Sequence, residues 1–501
     1  MKVLLLLSSC FALVFTGLSY PQDTSKVNEY HRERNRVIAQ DNAIRLGSEI
    51  ELSQEEVKVD SLLASLRAEF IKNAGFKFPP AHYFYNYRNM IDSSKILGIL
   101  RSMPKGGLLH CHAGAIGSPD WIINKASHME NLYMYTGETE GYEVVYGTLR
   151  FYNPGTQPEG YELVADLRKK DPNFDHHLRE LLFLNESDFK NGDIWVRFEE
   201  IFTRQGGLLE YYPVFLEDNK VMIDSLIADN VQHIEIRTFL GGVYDLNGKK
   251  YTPEEVIEIY KSILDSVRKD HPEFTLKIIR SGYRGWDKPD VLNYMEETIK
   301  LRKRYPDLVI GFDLVGEEDA GNPTLYFIEE MLLKDSLEEV YDIDLPFYFH
   351  NGESTLPDND NLYDAVLLGT KRIGHGINLF RFPILFDIIK QKGIALEISP
   401  LSNQILGYTD NLRMHPAGEY IKRGIPVTIS SDDPQIFDYT GLSYDFWSAY
   451  MAWNLDLAQM KKLALNSITH SGMSDTEIQT ALTHFNSEWD KWVEEVLETE
   501  M

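Results

Sequence analysis

Cysteine is nearly absent from the 501-residue chain, which has two, Cys10 and Cys111. Cys10 falls in an N-terminal apolar stretch that reads as a leader. That leaves Cys111 alone and excludes both an intramolecular disulfide and a multi-cysteine zinc site. Positive charge is scarce too, with 50 Lys and Arg against 77 Asp and Glu and a formal net charge of −27. A surface of that sign opposes a phosphate backbone or an anionic membrane as main partner, and a neutral or cationic small molecule fits better. Long apolar runs are missing: beyond the N-terminus none reaches the roughly 18 uncharged residues of a membrane-spanning helix. Internal repeats and low-complexity tracts are missing as well.

What is present begins with a secretory pattern. Lys2, the apolar Val3 to Phe15 and the small-x-small Gly17-Leu18-Ser19 mark residues 1–19 as a signal peptide, so the mature protein is expected to be soluble and secreted. Asn185-Glu186-Ser187 is a possible glycosylation acceptor. Residues 20–98 read as a helical arm. Within it, Ser53-Gln54-Glu55-Glu56 is a capping box, followed by an apolar stripe at Val59, Leu62, Leu63, Leu66 and Phe70. The arm could pack on its own domain or on a second subunit. Residues 126–185, rich in Tyr, Gly, Glu and Thr and punctuated by Asn153-Pro154-Gly155, read as a module inserted into a larger scaffold of residues 99–501.

In that scaffold, short apolar runs alternate with amphipathic stretches of helical length. The runs are Gly107 to His112, Val231 to Arg237, Phe274 to Arg280, Leu308 to Leu314, Phe347 to His350, Arg372 to His375, Ala395 to Ser399 and Val427 to Asp432. Eight strand–helix units predict a (β/α)8 TIM barrel. A doubly wound open sheet is the alternative, but it does not explain why nearly every run ends in polar groups: His110 and His112, Glu235 and Arg237, Arg280, Asp313, His350, His375, Glu397 and Ser399, Asp432 and Asp433. In a barrel these are expected to face one mouth, where such folds keep their chemistry.

His110 and His112, two apart on a strand, point the same way about 7 Å apart. Taken alone, such a pair is more often two unrelated histidines. With His350 and Asp432 it becomes a candidate set of three imidazoles and one carboxylate, which suits a single Zn²⁺ with a place left for water. Glu353, just past a ligand, is a candidate general acid, and His375, flanked by glycines, could orient or deprotonate the attacking water. Asp433, next to Asp432, would remain free for substrate. For each of these alone, a cap, a turn or a buried structural histidine is the plainer reading.

Five ordered stretches carry a resemblance: Met103-Pro104-Lys105-Gly106-Gly107-Leu108-Leu109-His110-Cys111-His112, His350-Asn351-Gly352-Glu353, Arg372-Ile373-Gly374-His375-Gly376, Ile398-Ser399-Pro400-Leu401-Ser402-Asn403-Gln404 and Ser430-Ser431-Asp432-Asp433-Pro434. Together they resemble the adenosine deaminase superfamily, most closely its secreted branch, the adenosine-deaminase-related growth factors. The resemblance implies a metal-dependent hydrolase barrel that deaminates adenosine or 2′-deoxyadenosine, with one zinc on His110, His112, His350 and Asp432. It places Glu353 as proton donor to purine N1, His375 at the attacking hydroxide, Asp433 at N7, the Gly316 N–H at N3 and Trp195 on the pocket wall. A homodimer through the N-terminal helices is implied as well.

Two features depart from that pattern. The secreted branch usually has an acidic residue after the second histidine to contact the ribose, where this chain has Ala113. The insert of the branch often carries a disulfide, which this chain cannot form. Two other functions compete: a two-metal hydrolase of the same barrel superfamily, and a secreted binding protein that keeps the barrel without activity. The fourth run ends Gly311-Phe312-Asp313-Leu314, without the bridging lysine that two-metal sites often use. Cys111, between the histidines, is expected to point into the barrel wall.

Overall fold

The computed structural model describes residues 24–139, 144–190, 193–354 and 356–500. The predicted signal peptide lies outside the described residues. Two compact units emerge, one ending at Ile44 and one from Arg45 onward. In the first, Thr24–Ile44 is a helix with no buried residue, as its charged composition dictates. The rest of this description concerns the second unit.

Eight parallel strands build the scaffold. Four of them, β1 (Gly106–His112), β5 (Val231–Thr238), β6 (Thr275–Tyr283) and β7 (Val309–Val315), pair in that order. The other four, β8 (His350–Asn351), β9 (Arg372–His375), β10 (Ala395–Ile398) and β11 (Val427–Ile429), form a second sheet in the order β11-β10-β9-β8. Two parallel bridges, Phe312 with Phe347 and Cys111 with Asp432, join the sheets at both edges. The strands therefore run round in a ring, and β1 and β11 are neighbours, as the barrel prediction requires.

Helices between the strands bury their apolar faces outside the ring, as in any barrel. The fifth run departs from its predicted length: only His350 and Asn351 join a ladder, while Phe347 is held by a bridge. Pro346 directly before it has no N–H for a regular ladder.

The insert forms the antiparallel sheet β3-β2-β4, from β2 (Leu132–Tyr135), β3 (Leu149–Phe151) and β4 (Tyr161–Leu163). Leu132, Met134, Leu149 and Phe151 join Leu178 and Leu182 in a core separate from that of the barrel. Ser53 and Glu56 make the predicted capping box of the helix Gln54–Ala74. Of its predicted stripe, Val59 and Leu63 are buried and Leu62, Leu66 and Phe70 pack partly buried against the main core. The same Glu56 accepts from Lys461 on the helix Leu457–Thr469 and from Trp489 Nε1 on the last helix, Asp475–Glu500.

Candidate active site

Alternation along β1 turns both imidazoles of His110 and His112 to the inside of the ring. Cys111 points the other way, its thiol 3.4 Å from the carbonyl of Glu235 in the wall, where burial pushes its pKa well up. At the mouth of the ring, His110 Nε2 and His112 Nε2 each lie 3.2 Å from Asp432 Oδ1, and His350 Nε2 lies 3.2 Å from His112 Nε2. All four ligand atoms fall within 4.8 Å of one another. Donors about 2.0 Å from a tetrahedral zinc stand about 3.3 Å apart. His110 Nε2 and Asp432 Oδ1 are buried and have no hydrogen-bond partner among the described residues, which a cation between them would supply. The residues present fit a metal.

The ring beneath sets the tautomers. Asp313 Oδ2 accepts from His350 Nδ1 at 2.7 Å, and Glu397 Oε2 accepts from His110 Nδ1 at 2.8 Å, leaving each Nε2 bare toward the cluster. Arg237 spans both carboxylates, at 2.7 Å and 2.6 Å. Arg372 joins Glu397 to Glu235. Burial, His110 and Arg237 hold His350 well below the ordinary imidazole range, so it stays neutral and able to ligate. Asp432 resists burial: His110 and His112 hold its carboxyl well below the usual range.

Around the cluster, Glu353, His375, Asp433, Trp195, Gly316 and Ala113 line one cavity of about 580 Å³. Every residue given a metal, catalytic or substrate role from the sequence thus reaches this cavity or the cluster on its floor. His375 Nε2 lies 3.5 Å from Glu353 Oε1. Burial, then Asp432 and Glu318, raise Glu353 well above the carboxylate range. Asp433 is raised well above it by burial and by Asp432. Burial, reinforced by His110, pushes His375 down to about 3. Trp195 presents a buried Nε1 with no partner among the described residues.

Local backbone serves the site. His375 and Asp432 take positive φ, +64° and +61°, a strain of about 1–3 kcal/mol each that persists where side-chain placement demands it. A Cβ on Gly374 would lie 2.8 Å from the His110 ring, so only glycine admits that ring against β9. Gly316 has φ +105°, which again favours glycine.

The chain matches the adenosine deaminase family over residues 195–485 and the N-terminal region of adenosine and AMP deaminases over residues 8–100. It is 36% identical to adenosine deaminase 2 of Dictyostelium discoideum over 487 residues, covering 94% of this chain and 88% of the relative. It is 31% identical to adenosine deaminase 2 of Homo sapiens, covering 97% of each. The chain belongs to the adenosine deaminase family. As a member of that family it is a hydrolytic deaminase. Among solved structures, the adenine deaminase of Arthrobacter aurescens aligns with a TM-score of 0.54 at 20% identity, over 77% of this chain and 99% of that one. An amidohydrolase of Burkholderia ambifaria with bound zinc gives 0.57 at 16%, over 80% and 95%. These two likenesses concern the fold.

Sequence reasoning put Arg280 of the deaminase at the mouth. The structure turns it outward, where it pairs with Glu297 and stacks over Tyr294. Asp313, Glu397 and Glu235 lie beneath the cluster rather than in the mouth, while Arg237 pairs with Asp313 and Glu397 there and also lines the cavity. Sequence reasoning missed Glu318 and Asn403. Glu318, two residues past Gly316, accepts from the backbone N–H groups of Gly352 (2.9 Å), Glu353 (2.8 Å) and Ser354 (3.2 Å) and from Asn361 Nδ2 (2.8 Å). The adjacent acidic pair Glu317-Glu318 at the end of a strand was the only signal for it.

Proposed function

We propose that this deaminase is a secreted, zinc-dependent enzyme that hydrolyses adenosine or 2′-deoxyadenosine to inosine or deoxyinosine and ammonia. The observation that carries the reading is the company of the metal cluster: Glu353, His375 and Asp433 stand round it in one cavity. His110, His112, His350 and Asp432 would hold one Zn²⁺ per chain. Bound there, zinc acidifies water and supplies a nucleophile near neutral pH.

The other steps fall to the chain's own groups. Glu353, kept protonated by burial and its anionic neighbours, donates to purine N1. That draws electrons from C6 and opens it to attack. His375 orients the attacking oxygen. N7 offers only a lone pair, so the carboxyl that meets it must bring a proton, and the raised pKa of Asp433 supports that role. Gly316 N–H meets N3, and Trp195 walls the base side of the pocket. Once C6 is tetrahedral, the proton of its new hydroxyl passes to the amino group, ammonia leaves as C6 becomes a carbonyl, and Glu353 regains its proton from solvent.

The leader at residues 1–19 supports secretion. Asn185, whose side chain turns onto Ser187 in an exposed segment, is the proposed glycan acceptor. Exposed Tyr30, Val37 and Ile44 on the helix Thr24–Ile44 support pairing of two chains. Purified protein should shift the ultraviolet band of adenosine to that of inosine and release ammonia. No change with zinc-loaded protein would defeat the reading, and two zinc equivalents per chain would favour the two-metal alternative.

A further inference from the structure

We propose that Asn403 and His415 form a hydrogen-bonded relay that fixes the tautomer of His375, so that His375 meets the attacking oxygen as a donor through Nε2–H and takes no proton from it. The inference rests on the reading above, in which His375 stands at that oxygen.

The relay is anchored by a group whose polarity is not in doubt. The backbone N–H of Ala417 donates to His415 Nδ1 at 3.1 Å, and a backbone N–H can only donate. His415 Nδ1 is therefore bare. Burial pushes the His415 imidazole down to about 3, so the ring is neutral and carries its single proton on Nε2. That nitrogen lies 3.1 Å from Asn403 Oδ1 and donates to it. The amide orientation of Asn403, often a matter of assignment, is thereby determined. Its Nδ2 is left facing His375 Nδ1 at 3.2 Å, and an amide nitrogen can only donate.

His375 Nδ1 is thus the acceptor, and the proton of the neutral ring sits on Nε2. Moving it to Nδ1 would set N–H against NH₂. Rotating Asn403 would relieve that clash only by creating the same one at His415, whose tautomer the Ala417 amide holds. All three side chains are buried, so water cannot repair a mismatch, and an unmade hydrogen bond there keeps its full desolvation penalty. The backbone of Asn403 is fixed as well: its N–H donates to Ser399 O at 3.0 Å, and its carbonyl accepts from Tyr408 N at 2.9 Å and Thr409 N at 3.1 Å.

The Nε2–H of His375 faces the cavity, 3.5 Å from Glu353 Oε1 and 3.9 Å from Asp432 Oδ2. A donor at that point occupies one lone pair of the attacking oxygen and leaves another aimed at C6. Asn403 and His415 are positioning residues in this scheme, since neither reaches substrate.

The test uses zinc-loaded protein labelled with ¹⁵N in its imidazoles and long-range ¹H–¹⁵N correlation spectra, with His375 identified by loss of its signals in His375→Gln. Expected is a bare Nδ1 and a protonated Nε2 for both His375 and His415. A protonated Nδ1 with a bare Nε2 on His375 overturns the proposal. Asn403→Asp, which presents two acceptors, should draw the His375 proton to Nδ1 and lower kcat at least tenfold, with KM and zinc content kept. An unchanged tautomer and kcat in that variant also overturn it. His415→Gln can still donate to Asn403 and should keep more kcat than His415→Leu; equal kcat in the two counts against the relay. The wild-type spectra report the tautomer without turnover, and His375→Gln serves only to assign their signals, so they decide the tautomer even if adenosine is not the substrate.

Discussion

Glu353 is nearly water-free, and burial, with Asp432 and Glu318 close by, penalises its negative form. As a proton donor it works only while protonated, so activity should persist through neutral pH and fall as pH rises through its raised pKa. Glu353→Gln removes the proton without emptying the space. We expect kcat to drop about 10²–10⁴-fold with one zinc equivalent retained, measured by steady-state kinetics and metal analysis. Retained turnover would refute the assignment. Ala113 lines the same cavity where the secreted branch usually carries an acid. Restoring one in Ala113→Asp should lower KM for adenosine roughly 5- to 150-fold, the equivalent of one buried hydrogen bond of about 1–3 kcal/mol, while kcat moves little. An unchanged or higher KM would show that the ribose is held without that position.

The loop after β7 and the helix Tyr212–Ala228 each put a buried carboxylate to structural use. Glu318 gathers three successive backbone N–H groups of the segment that carries Glu353, so a neutral amide there would turn its own NH₂ against at least one of them. Glu318→Gln should therefore lower kcat about 10- to 100-fold with KM nearly constant, and lower the melting temperature, since each charged hydrogen bond is worth about 1.5–3 kcal/mol. Full activity in this variant would reduce Glu318 to ordinary loop packing. On the helix, Asp218 is pushed up to about 7 by burial, and its Oδ1 and the Oε1 of Gln435, both without a partner among the described residues, lie 2.5 Å from where a Cβ on Gly117 would sit. A carboxyl whose pKa is raised by folding contributes stability below the ordinary carboxylate range and loses it as pH climbs through its folded value. Asp218→Asn can donate to Gln435 and has no such loss. Its melting temperature relative to wild type should rise between about pH 5 and about pH 8, and a constant difference would refute the buried proton.

For the whole molecule, the metal cluster draws His110 and His112 from β1, His350 from β8 and Asp432 from just past β11, so a cation would clasp the ring at its seam. Removing zinc with a chelator should lower the melting temperature, by the equivalent of about 4 kcal/mol if zinc was present at a thousand times its Kd, and zinc should restore it. Identical unfolding with and without chelator would mean that no metal bridges those strands. Much of this was legible in the sequence. Eight apolar runs with polar ends predicted the ring, and the ligands sat at those ends, because strand periodicity and the placement of polar groups at strand termini are local properties. The sequence alone also determined that Cys111 is the one cysteine beyond the apolar N-terminal stretch. Only tertiary structure decided that Arg280 turns outward while Arg237 turns under the cluster, since both end a predicted strand and the pleat register separates them. It also decided that Glu318 reaches another loop, and that Ala417, His415, Asn403 and His375 align into one relay. Those are partnerships between segments far apart in the chain or joined by a turn, and no periodicity encodes which buried donor will meet which acceptor until the barrel has closed around them.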